Sequence, residues 1–470
     1  MPLDHPGLRV VVPLVLLSAS TALAQVVLRE EDGRITVRAV RATGPIRVDG
    51  KLDEPIYAAT EPIGSFVQQE PDEGKPATEK TESWVLFDDE HIYVSARCWD
   101  THPERRVANE MRRDTSQLRQ NDTFAVLFDT FHDRRSGYLF YANPIGGLAD
   151  SQITDENPPN ADWNTVWSVK TGRFDGGWTI EMAIPFKSLR YQPGREHTWG
   201  INLRRVVRWK NEWSYLAQVP RALMTFQGIL KVSSAATLVG LEAPPGSRNI
   251  ELKPYALAGV TTDTTVTPRR TNDGDARAGA DIKYGVTQNL TADVTINTDF
   301  AQVEVDEQQV NLTRFNLFFP EKRDFFLENL GVSAFAGRAS AGLAAGSGDT
   351  PYLFFSRRIG LDGGRETPLR AGGRLTGRVG GFTAGVLNVQ TGDHQPTDVE
   401  SANFTVLRAK RDLLRRSSIG WMYTRIAQLH RAALGRTTGT GSTPRFPSIR
   451  TSDSMPIWLA HAAQHGAATS

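Results

Sequence analysis

The chain has 470 residues, with 54 Lys and Arg against 53 Asp and Glu, so its formal net charge is +1. This balance gives no electrostatic reason to expect nucleic acid as a partner. Hydrophobic residues make up 39% of the chain and charged residues 23%, which is typical of a folded protein. The length suggests two or three domains. The single cysteine, Cys98, excludes an intramolecular disulfide.

The first 24 residues have the pattern of an export signal. Arg9 precedes an apolar run over residues 10–17, and small residues follow as far as Ala24. The run is shorter than the roughly 20 apolar residues that span a bilayer. A cleaved signal peptide over residues 1–24 is therefore predicted, with an amphipathic surface helix as the alternative. Export without disulfides fits the periplasm or outer membrane of a Gram-negative bacterium.

Residues 36–240 contain short β-type runs separated by turn residues. Ser83–Phe87 and His91–Ala96 are joined by Asp88-Asp89-Glu90, and this arrangement predicts a hairpin. Further runs of the same kind are 123–128, 138–142, 178–184 and 199–203. Because no long helical stretch separates them, an antiparallel β-sandwich is predicted.

Residues 241–250 form a turn-rich linker, and the alternation of apolar and polar residues becomes more regular after it. Residues 281–286 and 290–297 alternate over full strands, and a hairpin is predicted about Gly380-Gly381. Such alternation is typical of an outer-membrane barrel, although a soluble sandwich gives the same pattern. The predicted fold class is all-β, an antiparallel sandwich followed by a truncated antiparallel β-barrel region over residues 251–426.

Residues 427–470 are rich in Ala, His, Thr and Arg and contain no run that we place in a sheet. An unstructured or aberrant tail is expected there. Either a truncated or frame-shifted gene product or a native disordered tail is compatible with this composition.

Four segments of the first region resemble carbohydrate-binding modules of family 9. They are Ile46–Glu54, Val85–Val94, Asp122–Asp129 and Gly177–Pro185, and Tyr57 stands where those modules usually have Trp. The resemblance implies a β-sandwich that binds a polysaccharide or oligosaccharide.

The second region resembles a bacterial domain of unknown function, DUF5916, that is often fused behind such a module. The matching motifs are Asn297–Asp306, Asn311–Phe315 and Phe318–Glu328. This resemblance implies an outer-membrane barrel, and the known relatives extend beyond the point where the alternation stops here.

A saccharide site built by ring stacking needs flat aromatic side chains beside polar groups. Trp163 and Trp167 lie in a loop rich in Asp and Asn, and both indoles are candidates for one rim, whereas the alternative is that Trp167 packs in the core. Tyr141 and Asn143 fall where the family keeps polar contacts to sugar. Asp122 completes the predicted ligand-binding set.

Two segments depart from the family pattern. The modules place a Trp before the strand equivalent to Asp122–Asp129 and another before the last strand, where this chain has Ser116–Asn121 and Pro220–Phe226. The stretch Arg204–Lys210 is basic and contains Trp209. It is suited to contact an acidic polysaccharide, but a strand with one solvated face explains it equally well.

Asp129 and Asp133 offer hard oxygen ligands for a candidate calcium site, and the alternative is a solvated acidic turn. No catalytic motif is present, but a glycosidase pair such as Glu181 with Asp162 is not excluded by sequence. The function expected is glycan binding at the cell envelope, with a barrel as outer-membrane anchor and a route for glycan uptake. The alternatives are a hydrolase of O-glycosyl bonds in carbohydrate catabolism and a structural or protein-docking component of the outer membrane.

Overall fold

The computed structural model describes most of residues 27–297, 321–327, 354–393 and 401–429, together with 449–452 and 457–462. The predicted signal at residues 1–24 and the motif residues 298–306 and 311–315 lie outside the described residues. In the described part of the chain, no helix is both long enough and apolar enough to cross a membrane.

The first part of the chain forms the predicted sandwich. In chain order, β1 to β14 are Val27–Arg29, Ile35–Arg38, Val40–Arg41, Val67–Glu70, Thr81–Phe87, His91–Trp99, Thr123–Asp129, Gly137–Ala142, Leu148–Ile153, Ser168–Phe174, Gly177–Pro185, Glu196–Val207, Glu212–Tyr215 and Ala236–Glu242. Helix α1 spans Pro55–Ala59. The larger sheet has the order β1-β2-β14-β12-β7-β8-β9, with β13 paired to β12 and β4 paired to β13, and the smaller sheet has the order β10-β11-β6-β5-β3.

The main core lies between these two sheets. Strand alternation sends Phe124, Val126 and Phe128 of β7 into it, where Trp178 and Trp199 are also fully buried. Large aromatic side chains of this kind bury roughly 150–250 Å² each and dominate core energetics. The alternating runs therefore specify the sandwich, and the predicted hairpin of β5 and β6 is confirmed.

A second core covers the opposite face of the larger sheet. Leu127 and Tyr215 of the sheet pack there against Leu118, Val219 and Ile229 from two loops. These loops bury apolar side chains, so they are held on the sheet at fixed positions.

The second part of the chain forms a third sheet, with the order β15-β16-β17-β20-β21-β22-β23-β24 and with β25 beside β23. No pairing of its described strands joins β15 to β24, so no closed barrel is found among them. Helix α2 spans Asp324–Leu327. Strands β15 to β25 are Ile250–Asp263, Arg270–Thr287, Leu290–Ile296, Leu361–Asp362, Arg365–Glu366, Leu369–Val379, Phe382–Thr391, Ala402–Asp412, Ser417–Leu429, Ile449–Ser452 and Ile457–Ala462.

The turn between β20 and β21 is the predicted two-residue hairpin. Val379 pairs with Phe382, and Gly380 adopts φ of 59°, a left-handed conformation that favours glycine. The all-β fold class is thus confirmed in both parts of the chain.

One face of the third sheet is apolar and exposed. A cross-strand row runs over six strands, and its end member Ile250 is 71% exposed while Val386 is 43% exposed. The row consists of Ile250, Tyr284, Ala292, Leu375, Val386 and Leu407. We call this face the outer face.

The opposite, inner face carries charged residues. Glu251, Lys283, Asp293 and Arg374 lie opposite one another on four neighbouring strands. Arg374 Nη2 lies 2.9 Å from Asp293 Oδ2, and both side chains are less than 10% exposed. The same inner face also carries the buried apolar side chains of Leu387, Val389 and Val406, so it is mixed in character. The exposed apolar outer face is the feature that is unusual for a sheet in water.

Residues of the predicted 427–470 tail differ from expectation. The structure continues β23 to Leu429 and pairs Ile449–Ser452 and Ile457–Ala462 with it. The expectation that no run there enters a sheet is therefore wrong. These two segments pair with β23, whose edge would otherwise expose unpaired backbone N–H and C=O groups.

Candidate functional site

A groove with a volume of about 290 Å³ lies on the sandwich, on the face of the larger sheet away from the main core. Side chains of β7, β12 and β13 contribute to it, and two loops and the turn between β12 and β13 add the remaining residues. Its lining consists of Ser116, Gln117, Arg119, Gln120, Thr123, Arg204, Val206, Arg208, Trp213, Thr225 and Phe226. We call it the arginine groove.

Strand register places the side chains of this groove. Leu203 packs in the main core, so the alternation along β12 turns Arg204 and Val206 to the opposite face. Trp213 of β13 lies opposite Val206. The short 3₁₀ turn Ser116–Gln120 is anchored beside them by Leu118, which is fully buried.

Two arginines of the groove lie over aromatic rings. The Arg208 guanidinium carbon lies 5.1 Å from the Trp213 ring centroid, and that of Arg119 lies 5.9 Å from the Phe226 ring centroid. Arg208 Nη2 also donates a hydrogen bond of 2.8 Å to Gln120 Oε1. These contacts orient the two guanidinium groups.

The groove is lined by three arginines and by no Asp or Glu. Among the described residues, none of the three forms an ion pair with a carboxylate. Arg204 is only 6% exposed, and its buried Nε has no hydrogen-bond partner in the described structure. The groove is therefore a concentrated region of positive charge.

Asp122, one of the predicted ligand-binding residues, is fully buried. Its Oδ1 accepts a hydrogen bond of 2.7 Å from the backbone N–H of Arg208. Burial raises the pKa of Asp122 to about 6. Asp122 thus holds the chain at Arg208 and does not line the groove.

Trp163 and Trp167 are each 7% exposed and belong to the main core. Phe140 packs edge-on against Trp167 at a centroid distance of 5.2 Å, and Trp163 lies against Tyr138 at 5.0 Å. Trp167 Nε1 donates to Asp150 Oδ2 at 2.9 Å. The structure therefore follows the alternative reading in which Trp167 packs in the core.

Both tryptophans also line a second cavity, a cleft of about 930 Å³ between the sandwich and the third sheet. Lys187, Tyr191 and Lys283 are among its other lining residues. The predicted pair is therefore brought together, but at this interdomain cleft and with little of either ring accessible.

Tyr141 and Asn143 lie in neither cavity. Tyr141 is 6% exposed and packs in the second core. Asn143 is fully buried, accepts a hydrogen bond of 2.8 Å from Gly147 N–H and donates one of 3.0 Å to Asn121 Oδ1. Asn143 therefore stabilises the turn between β8 and β9.

The predicted calcium ligands are engaged by N–H groups. Asp129 is fully buried and accepts from the backbone N–H groups of Asp133 and Arg134, and Asp133 pairs with the Arg378 guanidinium of β20. Burial raises the pKa of Asp129. In the described part of the chain, no group of three or more His, Cys, Asp or Glu side chains has the arrangement of a metal site.

Glu181, one member of the acid pair that sequence did not exclude, is buried and hydrogen-bonded. It is 1% exposed and accepts hydrogen bonds of 2.7 Å from Gly50 N–H and 3.0 Å from Tyr57 Oη. Burial raises its pKa. Glu181 thus attaches the loop before α1 to β11, while Asp162 lies outside the described residues.

Three segments that line the arginine groove were singled out from the sequence, but the sequence did not predict that they lie side by side. Ser116–Asn121 and Pro220–Phe226 were noted as lacking Trp, and Arg204–Lys210 as basic. Trp213, which lines the groove, was missed because its placement depends on the β12–β13 register, which no local pattern encodes.

Family models match two parts of the chain. Residues 48–207 match the model described as carbohydrate family 9 binding domain-like, and residues 247–370 match a domain of unknown function, DUF5916. The resemblance of both regions is therefore confirmed at the level of these domains. No curated protein matches the chain.

Two similar solved structures are of a family 9 carbohydrate-binding module from Caldicellulosiruptor kristjanssonii. The structure in complex with glucose is 14% identical, with a TM-score of 0.32, and covers 46% of this chain and 98% of the module. The structure in complex with cellotriose is 15% identical, with a TM-score of 0.31, and covers 45% of this chain and 95% of the module.

Proposed function

We propose that the sandwich binds a saccharide in the arginine groove. The main observation that supports this proposal is a groove that combines an aromatic surface with oriented hydrogen-bond donors. It lies in a domain that matches the carbohydrate family 9 model. Phe226 is 43% exposed and offers the accessible ring, while Gln117, Gln120 and Arg119 surround it with polar groups. Sugar recognition needs both elements, since the ring contacts C–H groups and the polar side chains bond the hydroxyls.

Calorimetry with the purified full chain in detergent tests this proposal against xylo-, cello- and galacturono-oligosaccharides. Phe226→Ala is expected to weaken binding about tenfold, because one lost ring contact is worth about 1.4 kcal/mol. Val166→Ala is the matched control, since Val166 is 73% exposed and lines only the interdomain cleft. Unchanged affinity in Phe226→Ala, or no binding of any of these saccharides, would contradict the proposal.

We further propose that the third sheet holds the protein in the outer membrane. The supporting observation is the apolar outer face, on which Ile250 and Val386 are exposed, whereas charged and apolar side chains are both buried on the inner face. Lipid covers an apolar outer face favourably, whereas water does not. In this arrangement the sandwich is a binding domain tethered to the membrane surface, positioned to capture glycan next to it.

A further inference from the structure

We infer that the arginine groove selects a saccharide that carries an anionic group, such as the carboxylate of a hexuronic acid. This inference rests on the proposed saccharide binding and adds the chemical class of the ligand. Three guanidinium groups line a cavity of about 290 Å³ that no carboxylate enters.

The lack of a carboxylate partner distinguishes these arginines from Arg113 and Arg221 of the same sandwich. Arg113 pairs with Asp150 at 2.6 Å, and Arg221 pairs with Glu70 at 3.0 Å. Arg119, Arg204 and Arg208 have no such partner among the described residues, so the positive charge of the groove is not neutralised from within.

Burial strengthens the argument at Arg204. Its side chain is 6% exposed, and its Nε has no hydrogen-bond partner in the described structure. A buried N–H of a charged group without a hydrogen-bond partner is costly, and an anion that accepts from it offsets this cost. The weaker shielding by water at such a site also increases the attraction for the anion.

The geometry of the other two arginines leaves donors available. A guanidinium that lies over a ring uses its π-face, so the N–H groups around its edge stay free to donate. Arg119 has this contact with Phe226, and Arg208 has it with Trp213 while one nitrogen donates to Gln120. Planar donors fit a carboxylate through two parallel hydrogen bonds, which gives geometric selectivity as well as charge.

The alternative for the basic stretch was a strand with one solvated face. Arg204 is 6% exposed and Arg205 is fully buried, so these two residues of β12 do not form a solvated face. The stretch instead supplies Arg204 and Arg208 to one groove.

The test compares tetragalacturonic acid with its methyl ester, which has the same sugars without the charge, by calorimetry on the full chain in detergent. The acid is expected to bind at least tenfold tighter than the ester, and its affinity is expected to fall as salt rises from 50 to 500 mM. Arg119→Gln and Arg208→Gln are expected to remove most of this preference. Arg119 is exposed, so its substitution leaves the fold intact, and Arg195→Gln is the control, being 82% exposed and outside the groove.

The outcomes separate this inference from the proposed function. Equal binding of acid and ester, or binding of neutral oligosaccharides alone, would overturn the anionic selectivity and leave saccharide binding in place. Binding of a sulfated oligosaccharide in preference to both would support the inference and identify sulfate as the anion. Failure of every saccharide to bind would overturn both proposals.

Discussion

The carboxylate of Asp122 lies under the arginine groove, where its Oδ1 accepts the backbone N–H of Arg208. Burial raises its pKa to about 6, above the ordinary value of about 4 for an aspartate. Folding therefore favours the protonated form of this group. A residue that sequence suggested as a sugar ligand serves instead as support for one wall of the groove.

This raised pKa predicts a pH dependence of stability. The folded chain binds the proton of Asp122 more readily than the unfolded chain, so its contribution is fully present below about pH 4 and is lost as pH rises through about 6. The contribution is at most about 3 kcal/mol, from 1.36 kcal/mol per pKa unit. Asp122→Asn is expected to flatten the dependence of the free energy of unfolding between pH 4 and 6.

Denaturant unfolding followed by tryptophan fluorescence measures this change. Asp150, whose pKa burial also raises to about 6, keeps its own contribution in the variant. Asp89→Asn serves as control, because the Asp89 side chain is 87% exposed. An unchanged slope in Asp122→Asn relative to the parent would show that Asp122 does not titrate in this range.

At the scale of elements, strands β20 and β21 carry opposite chemistry on their two faces. Leu375 and Val386 lie opposite each other in the apolar outer row, while Arg374 and Thr376 are buried on the inner face. A one-residue shift in register would exchange these faces, so the two-residue turn at Gly380-Gly381 fixes which side chains meet the surroundings.

If the outer face meets lipid, a charge there is expected to impair membrane insertion. Val386→Arg should cost up to about 2–4 kcal/mol near the membrane midplane and so reduce the fraction recovered in washed membranes. Thr376→Asp is the inner-face control, because it places a charge beside Arg374 and away from lipid. Membrane recovery of Val386→Arg equal to the parent would indicate that this face is not in lipid.

The elements that sequence predicted well are those with local patterns. The hairpins at Asp88–Glu90 and Gly380-Gly381 follow from turn residues between alternating runs, and both are confirmed. The groove was not predictable in this way, because Arg119, Arg204 and Phe226 are distant in sequence and meet only after the sheet and its covering loops form. A tryptophan such as Trp167 is equally suited to a core and to a binding site. Sequence alone therefore did not decide that Trp167 is buried, and the structure did.

At the scale of the whole molecule, ion pairs join the sandwich to the third sheet. Asp133 pairs with Arg378, Asp155 pairs with Lys410, and Arg135 Nη1 lies 2.8 Å from Asp412 Oδ1. Arg135 also pairs with Asp155, and Lys410 also pairs with Asp412, so these contacts form a network. A network of partly buried pairs restricts motion more effectively than one isolated surface pair. The sandwich is thereby held against β20 and β22.

A double-mutant cycle measures the strength of this connection. Asp133→Ala and Arg378→Ala are each expected to lower the free energy of unfolding, and the double variant to lose less than the sum, with a coupling of about 1 kcal/mol. Additive losses in denaturant unfolding would mean that the pair contributes no net energy. Glu82→Ala with Lys80→Ala is a control for a pair within the sandwich.

Hydrogen–deuterium exchange of the full chain with and without tetragalacturonic acid or xylotetraose tests the central claim, saccharide binding in the arginine groove, most directly. Exchange is expected to slow at Ser116–Gln120 and Thr225–Ile229, which contribute residues to the groove or adjoin it, and to stay unchanged at Trp163–Trp167. Protection confined to Trp163–Trp167 and the interdomain cleft would move the site to the two tryptophans and contradict the account.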